Sequence, residues 1–208
     1  MLTRTLPELE VTQATNSLLG SYVIRRAEQA DLPLLEEIEL AAAQLLQGHA
    51  PKSVLTEATP IVDFEIAQRA GHLWVAAIDD QPVGFAHVKL LEPGAAHLDE
   101  LDVHPRHGRQ GLGRRLVMAV CEWATAAGKD AVTLSTFRDP RWNMPFYASL
   151  GFEVIPKASL SDALARIVAD ETRRGLNPTR RVVMRRGTSE RAKHHEVESE
   201  QRGRGDES

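Results

Sequence analysis

Between positions 73 and 103 the apolar residues come in short runs broken by turn residues, not at helical intervals. Leu73–Ile78 is a continuous apolar run and reads as a buried strand. Asp79, Asp80 and Pro82 supply turn chemistry, and Val83–Leu91 returns as its hairpin partner. Glu92-Pro93-Gly94 turns again, and about Ala96 to Val103 is a third strand. Strands joined by such short turns form an antiparallel meander. The period then changes. Leu112, Leu116, Ala119, Val120, Trp123 and Ala127 fall on one face of a helix that Gly128 ends. Ala131–Thr136 is a strand after that helix, which implies a parallel crossover onto the strand before it.

The flanks follow the same logic. Tyr22–Ala27 reads as a first strand, and Asp31 as the N-cap of a helix from Leu32 to about Gln47 with an early proline at Pro33. Gly48–Thr59 reads as a loop, and Ile61–Ala70 as a shorter helix stopped by Gly71. After the crossover come a short helix over Asn143–Leu150, a strand at Phe152–Ile155, a helix capped by Ser161, and a last strand at Arg180–Arg185. Residues 1–20 show no steady period and read as an N-terminal extension. Residues 187–208 are charged and polar and read as a disordered tail, leaving one domain over 21–186. The fold class is a mixed α/β sheet in an α+β arrangement.

Composition narrows the function classes. A 42% hydrophobic content in 208 residues supports one core, and a net charge of −4 gives no general case for nucleic-acid or membrane binding. The single cysteine, Cys121, excludes an internal disulfide and fits a reducing compartment. No spanning apolar stretch and no signal-peptide core stand out, so the expectation is a cytoplasmic protein.

The chemistry concentrates at one junction. The third strand feeds Gly108-Arg-Gln-Gly-Leu-Gly113, which opens the long helix. A helix start leaves backbone N–H groups free to hold an anion. The phosphate loop of nucleotide hydrolases would need Gly-Lys-Ser/Thr, which is absent. The dinucleotide fingerprint would need its wide glycine gap second, and here it comes first. A tight structural turn is the competing reading.

The order of strand, Val103-His-Pro105, glycine turn, Leu112-Gly-Arg-Arg-Leu116, helix, strand and Phe146-Tyr-Ala-Ser-Leu-Gly-Phe152 resembles the GNAT N-acetyltransferase superfamily. The resemblance covers about 22–185. It implies a GNAT-like fold, with the meander followed by the crossover and a splayed central strand pair, and acetyl-CoA as cosubstrate. The pyrophosphate would lie on the backbone of Arg109, Gln110, Gly111, Leu112, Gly113 and Arg114. The pantetheine arm would lie along Leu101, Asp102 and Val103. Two departures stand out: Gly108 occupies the position of a usual Arg or Gln, and Pro140 that of a usual Asn. Tyr147 matches the tyrosine that protonates the departing thiolate, against the alternative of a core tyrosine. Glu100 is the candidate general base, against a solvated edge. By strand alternation Glu100 and Asp102 share a face and Asp99 takes the other.

No metal is implied, because His87, His97, His104 and His107 lack helical ligand spacing. Cys121 reads as a core residue. Phe137–Pro145 reads either as a contact for an anionic or aromatic substrate or as a loop whose Trp142 seals the core. The implied activity is acetyl transfer to a primary amine of a small molecule or protein in a ternary complex. A non-catalytic acyl-CoA-binding module and an enzyme using another acyl donor are the alternatives, and a second copy of the chain remains a candidate partner.

Overall fold

The computed structural model describes residues 21–91, 94–140 and 142–188. The expected extension at 1–20 and residues 189–208 of the expected tail lie outside the described residues. The chain runs β1 (Val23–Arg26), α1 (Leu32–Ala43), α2 (Lys52–Thr56), α3 (Ile61–Arg69), β2 (Leu73–Ile78), β3 (Gln81–Leu91), β4 (Ala95–Val103), α4 (Leu112–Ala126), β5 (Ala131–Phe137), α5 (Met144–Ala148), β6 (Glu153–Val154), α6 (Asp162–Arg173) and β7 (Arg181–Gly187). The strands form one sheet in the order β1-β2-β3-β4-β5-β7-β6. Only β4 and β5 are parallel, as the crossover through α4 requires.

Apolar residues on one sheet face (Ala86, Val88, Leu98, Val132, Leu134) meet the apolar stripe of α4 at Leu116, Val117, Val120 and Ala124. Full burial of each such Val or Leu stabilises by about 1.5–3 kcal/mol. The other face, at Leu73, Val75 and Phe85, packs against Leu35 and Ile38 of α1 and Phe64 of α3. Two layers of helices therefore sandwich the sheet. Among the described residues no helix is long and apolar enough to cross a membrane.

Four local readings change. Asp31 does not cap α1 with its side chain; its buried carboxylate instead takes the Arg25 guanidinium at 2.6 Å and the Glu28 N–H at 2.7 Å. The 48–59 segment is not wholly loop, because Lys52–Thr56 forms α2, which is too short to show a period. The first helix gives way after Ala43 to a tighter turn over Gln44–Leu46. The domain also extends past residue 186. Gly187 pairs with Ala131 on the sheet, and Thr188 bonds the Lys129 and Asp130 carbonyls.

Candidate active site

The parallel ladder between β4 and β5 runs from Ala95↔Ala131 to Leu98↔Leu134 and stops. Beyond it Glu100–Val103 pair only with β3, and Ser135–Phe137 only with β7. The two strands part into a wedge, and among the described residues the β4 backbone on that side has no strand partner. This is the splayed pair that the resemblance implies. At its root, register partners His97 and Thr133 are joined by a 2.9 Å hydrogen bond between Nδ1 and Oγ1. Burial lowers His97 to a pKa of about 4, so the ring is neutral.

A bulge shapes the β4 wall. Val88 faces Leu98 and His87 faces Glu100, which leaves Asp99 as the extra residue. Leu98, Leu101 and Val103 therefore pack toward α4. Asp99 does not point away from Glu100, as strict alternation requires. Its Oδ2 sits 2.7 Å from Lys89 Nζ and 3.7 Å from His87 Nδ1, and His87 packs on Phe64 of α3. The three-residue step from Leu98 to Leu101 is the signal in the sequence that marks this bulge.

Glu100 and Asp102 share the face toward α1. Burial first, and then the neighbouring Asp102 carboxylate, hold Glu100 well above the usual carboxylate range. Burial and then Glu39 do the same to Asp102. Asp102 as a residue is half-buried, but its Oδ2 is shut off from solvent with no hydrogen-bond partner among the described residues. The family resemblance assigns Asp102 through its backbone alone, and no pattern in the sequence marks this side chain. Tyr147, on α5, feels both carboxylates. Burial, then Asp102 and Glu100, push its phenol well above its ordinary value. Its ring is packed edge-on against Phe146 and Phe152, so the tyrosine is partly a core residue as well. The wedge thus brings Glu100, Asp102 and Tyr147 together from β4 and α5.

The glycine turn sits at the other end of the candidate site. His104 Nδ1 accepts from Arg106 N–H, and His107 bonds the Tyr22 hydroxyl at 2.9 Å, so these two histidines hold the loop in place. Gly111 is the N-cap of α4 with φ +74°, a conformation that costs a glycine little. Arg109 also adopts a left-handed φ of +63°. The first helical bond runs from Arg115 N–H to the Gly111 carbonyl. The N–H groups of Leu112, Gly113 and Arg114 therefore have no carbonyl in a preceding turn. Arg109, Gln110, Gly111 and Arg114 are exposed, while Leu112 is anchored in the core. A Cβ on Gly113 would lie 3.7 Å from Phe146 and 4.0 Å from Leu101, which links the helix start to both walls of the wedge. A Cβ on Gly108 would lie only 3.1 Å from the Pro105 carbonyl, so a larger residue there would crowd the turn.

Residues 36–152 match the acetyltransferase (GNAT) family. The chain belongs to that family. It is 31% identical over 138 residues to the glucosamine 6-phosphate N-acetyltransferase of Trypanosoma brucei brucei, covering 59% of this chain and 88% of that protein. A shorter match, 47% identical over 51 residues, is to the mycothiol acetyltransferase of Salinispora arenicola, and spans 24% of this chain and 17% of that one. The fold is similar to the crystal structure of PaiA N-acetyltransferase from Thermoplasma acidophilum in complex with coenzyme A. There the TM-score is 0.61 at 16% identity, over 80% of this chain and 99% of the other.

Behind the β5 wall of the wedge, Arg181 is fixed by Glu171 at 2.5 Å and by the Ser135 hydroxyl, and lies over the Phe137 ring. Trp142 does not seal the core. It is 54% exposed and stands edge-on to His49, which takes a 2.9 Å bond from Arg180. Cys121 is a buried core residue, and burial raises its thiol pKa. A groove of about 880 Å³ between β1 and α4 is lined by Tyr22, Arg26, Trp74 and Trp123 and contains none of the candidate residues. No group of three or more metal-ligating side chains occurs among the described residues.

Proposed function

We propose that the protein is an acetyl-CoA-dependent N-acetyltransferase that passes the acetyl group directly to a primary amine. The pyrophosphate rests on the backbone N–H groups from Arg109 to Arg114, with the Arg109 and Arg114 side chains supplying positive charge. The pantetheine arm pairs with Leu101, Asp102 and Val103 as an added strand. An unpaired N–H at this edge polarises the thioester carbonyl as the tetrahedral intermediate forms. Glu100 takes a proton from the entering ammonium. The neutral amine then attacks and the C–N bond forms; as the tetrahedral intermediate collapses the nitrogen sheds its second proton to solvent and the C–S bond breaks. Tyr147 gives its proton to the leaving thiolate, and exchange with solvent returns both groups to their starting forms. Glu100 is suited to this because its raised pKa brings it nearer to that of the amine. Tyr147 is fully protonated at neutral pH and so has a proton to give. A reducing compartment such as the cytoplasm suits the lone buried Cys121.

The observation that carries this reading is the ladder that stops after Leu98↔Leu134, with Tyr147 within electrostatic reach of the two carboxyls beyond it. The test is thiol release from acetyl-CoA in the presence of a broad panel of amines, read with a thiol-reactive chromophore. Release that depends on an amine is expected. Coenzyme binding without release for any amine would instead support a non-catalytic acyl-CoA-binding module.

A further inference from the structure

The parallel ladder between β4 and β5 ends at Leu98↔Leu134, and around that point the side chains of β5 change partners. Thr133, just before it, bonds His97 across the seam. Ser135, the first residue after it, shares the face of Thr133 by strand alternation, but its hydroxyl turns the other way. It donates to Glu171 Oε2 of α6 at 3.0 Å and accepts from Arg181 Nη2 of β7 at 3.2 Å. Glu171 and Arg181 close the ring with two bonds of their own, Nη2 to Oε1 at 2.5 Å and Nε to Oε2 at 3.2 Å. The guanidinium also lies over the ring of Phe137, its register partner, 4.6 Å from the centroid. One arginine thus grips both Ser135 and Phe137, the part of β5 that has left β4. It stands on β7, across β5 from β4, so the pull is away from the wedge.

Stability alone does not account for this knot. Both charged side chains are largely buried, at 13% and 14% exposure. A buried ion pair holds a helix no better than apolar residues of similar size, because desolvation offsets its attraction. Glu171 also lies in the last turn of α6, where the negative end of the helix dipole disfavours an acid. What a fork of directed hydrogen bonds adds over an apolar contact is a defined position. Here it defines the position of the β5 end. Across the gap, the β4 edge carries backbone groups without a strand partner among the described residues, and such an edge is a template for any strand that comes near.

We propose that Ser135, Glu171 and Arg181 form a strut that holds the end of β5 off β4 and so sets the width of the gap between them. All three are positioning residues, acting through the β5 backbone on the slot that takes the pantetheine arm. This rests on the proposal that coenzyme A fills the wedge.

The test compares coenzyme A with 3′-phospho-ADP, which is the coenzyme without its pantetheine arm, by calorimetric titration of the full chain. Ser135→Ala cuts β5 from the strut and leaves the Glu171–Arg181 pair intact. It should bind coenzyme A about tenfold more weakly than the unaltered protein, as the loss of hydrogen bonds to charged partners allows. It should bind 3′-phospho-ADP within about twofold, because the helix start that holds the pyrophosphate is untouched. Ser135→Thr keeps the hydroxyl and should stay within about threefold of the unaltered protein for coenzyme A. Unchanged coenzyme affinity in Ser135→Ala, or a loss in Ser135→Thr as large as in Ser135→Ala, would overturn the strut. So would an equal loss for both ligands, which is what a merely structural role gives. If Ser135→Ala fails to fold, the double variant Glu171→Gln with Arg181→Gln leaves no charge buried alone, and it should show the same selective loss. An unaltered protein that binds both ligands equally gives the pantetheine arm no place in the wedge, and overturns the coenzyme reading along with the strut. A preference for coenzyme A that survives Ser135→Ala undiminished overturns the strut alone.

Discussion

Acidification should loosen the root of the wedge through His97. The ring is 2% exposed and bonded to Thr133, and its pKa falls from an ordinary 6.5 to about 4 because burial disfavours its charged form. Between these values the unfolded chain holds a proton on His97 that the folded chain lacks, so stability rises with pH across this window and falls as pH drops from 6.5 toward 4. The cost reaches about 2 kcal/mol at pH 5 and levels off at about 3 kcal/mol near pH 4. Glu100 and Asp102 act in the opposite direction, because their raised values let the folded state hold extra protons above the ordinary carboxylate range. The useful measurement is therefore a difference. His97→Asn keeps a polar group beside Thr133 but does not titrate, and the contribution of the two carboxyls cancels between the proteins. Denaturant unfolding of both at pH 7.5 and pH 5 should show the wild type losing about 2 kcal/mol more than the variant. Parallel pH dependence in the two proteins would refute the reasoning.

Three further outcomes are expected. Tyr147→Phe should lower kcat by about 10- to 100-fold, within the usual contribution of a positioned acid, and leave coenzyme affinity unchanged; unaltered turnover would remove Tyr147 from the reaction. Gly113→Val should weaken coenzyme A binding by about tenfold or more, because its branched methyls fill the gap between the helix start, Phe146 and Leu101; titration with coenzyme A checks this. Gly84→Ala would place a Cβ 2.7 Å from the Asp102 carbonyl and 3.0 Å from Val103 Cγ2. Thermal unfolding should show a loss of about 1–3 kcal/mol as β3 is forced off β4.

Most of the frame could be read from periodicity. The meander of β2, β3 and β4 and the stripe on α4 each repeat long enough to declare themselves, and one helix between two strands dictates the parallel pair. What escaped was decided by contacts distant in sequence. Nothing local places β7 between β5 and β6. Asp31 looks like a cap until Arg25 claims it. Asp99 changes face because a bulge opposite His87 and Val88 interrupts the alternation. At the site, the glycine turn and Tyr147 were legible through family resemblance. The free Asp102 oxygen was not, since an unpaired group is defined by every neighbour that fails to reach it.

The short parallel ladder also has a mechanical consequence. Among the described residues, four pairs from Ala95↔Ala131 to Leu98↔Leu134 form the whole backbone seam between β1–β4 and β5–β7. Val103 lies five residues beyond the seam, or about 16 Å at roughly 3.3 Å per residue. The half-sheets therefore meet like blades at a pivot, where one degree of rotation moves the tip by about 0.3 Å over that span. Three degrees is about 0.8 Å, enough to make or break a hydrogen bond to whatever lies between the blades.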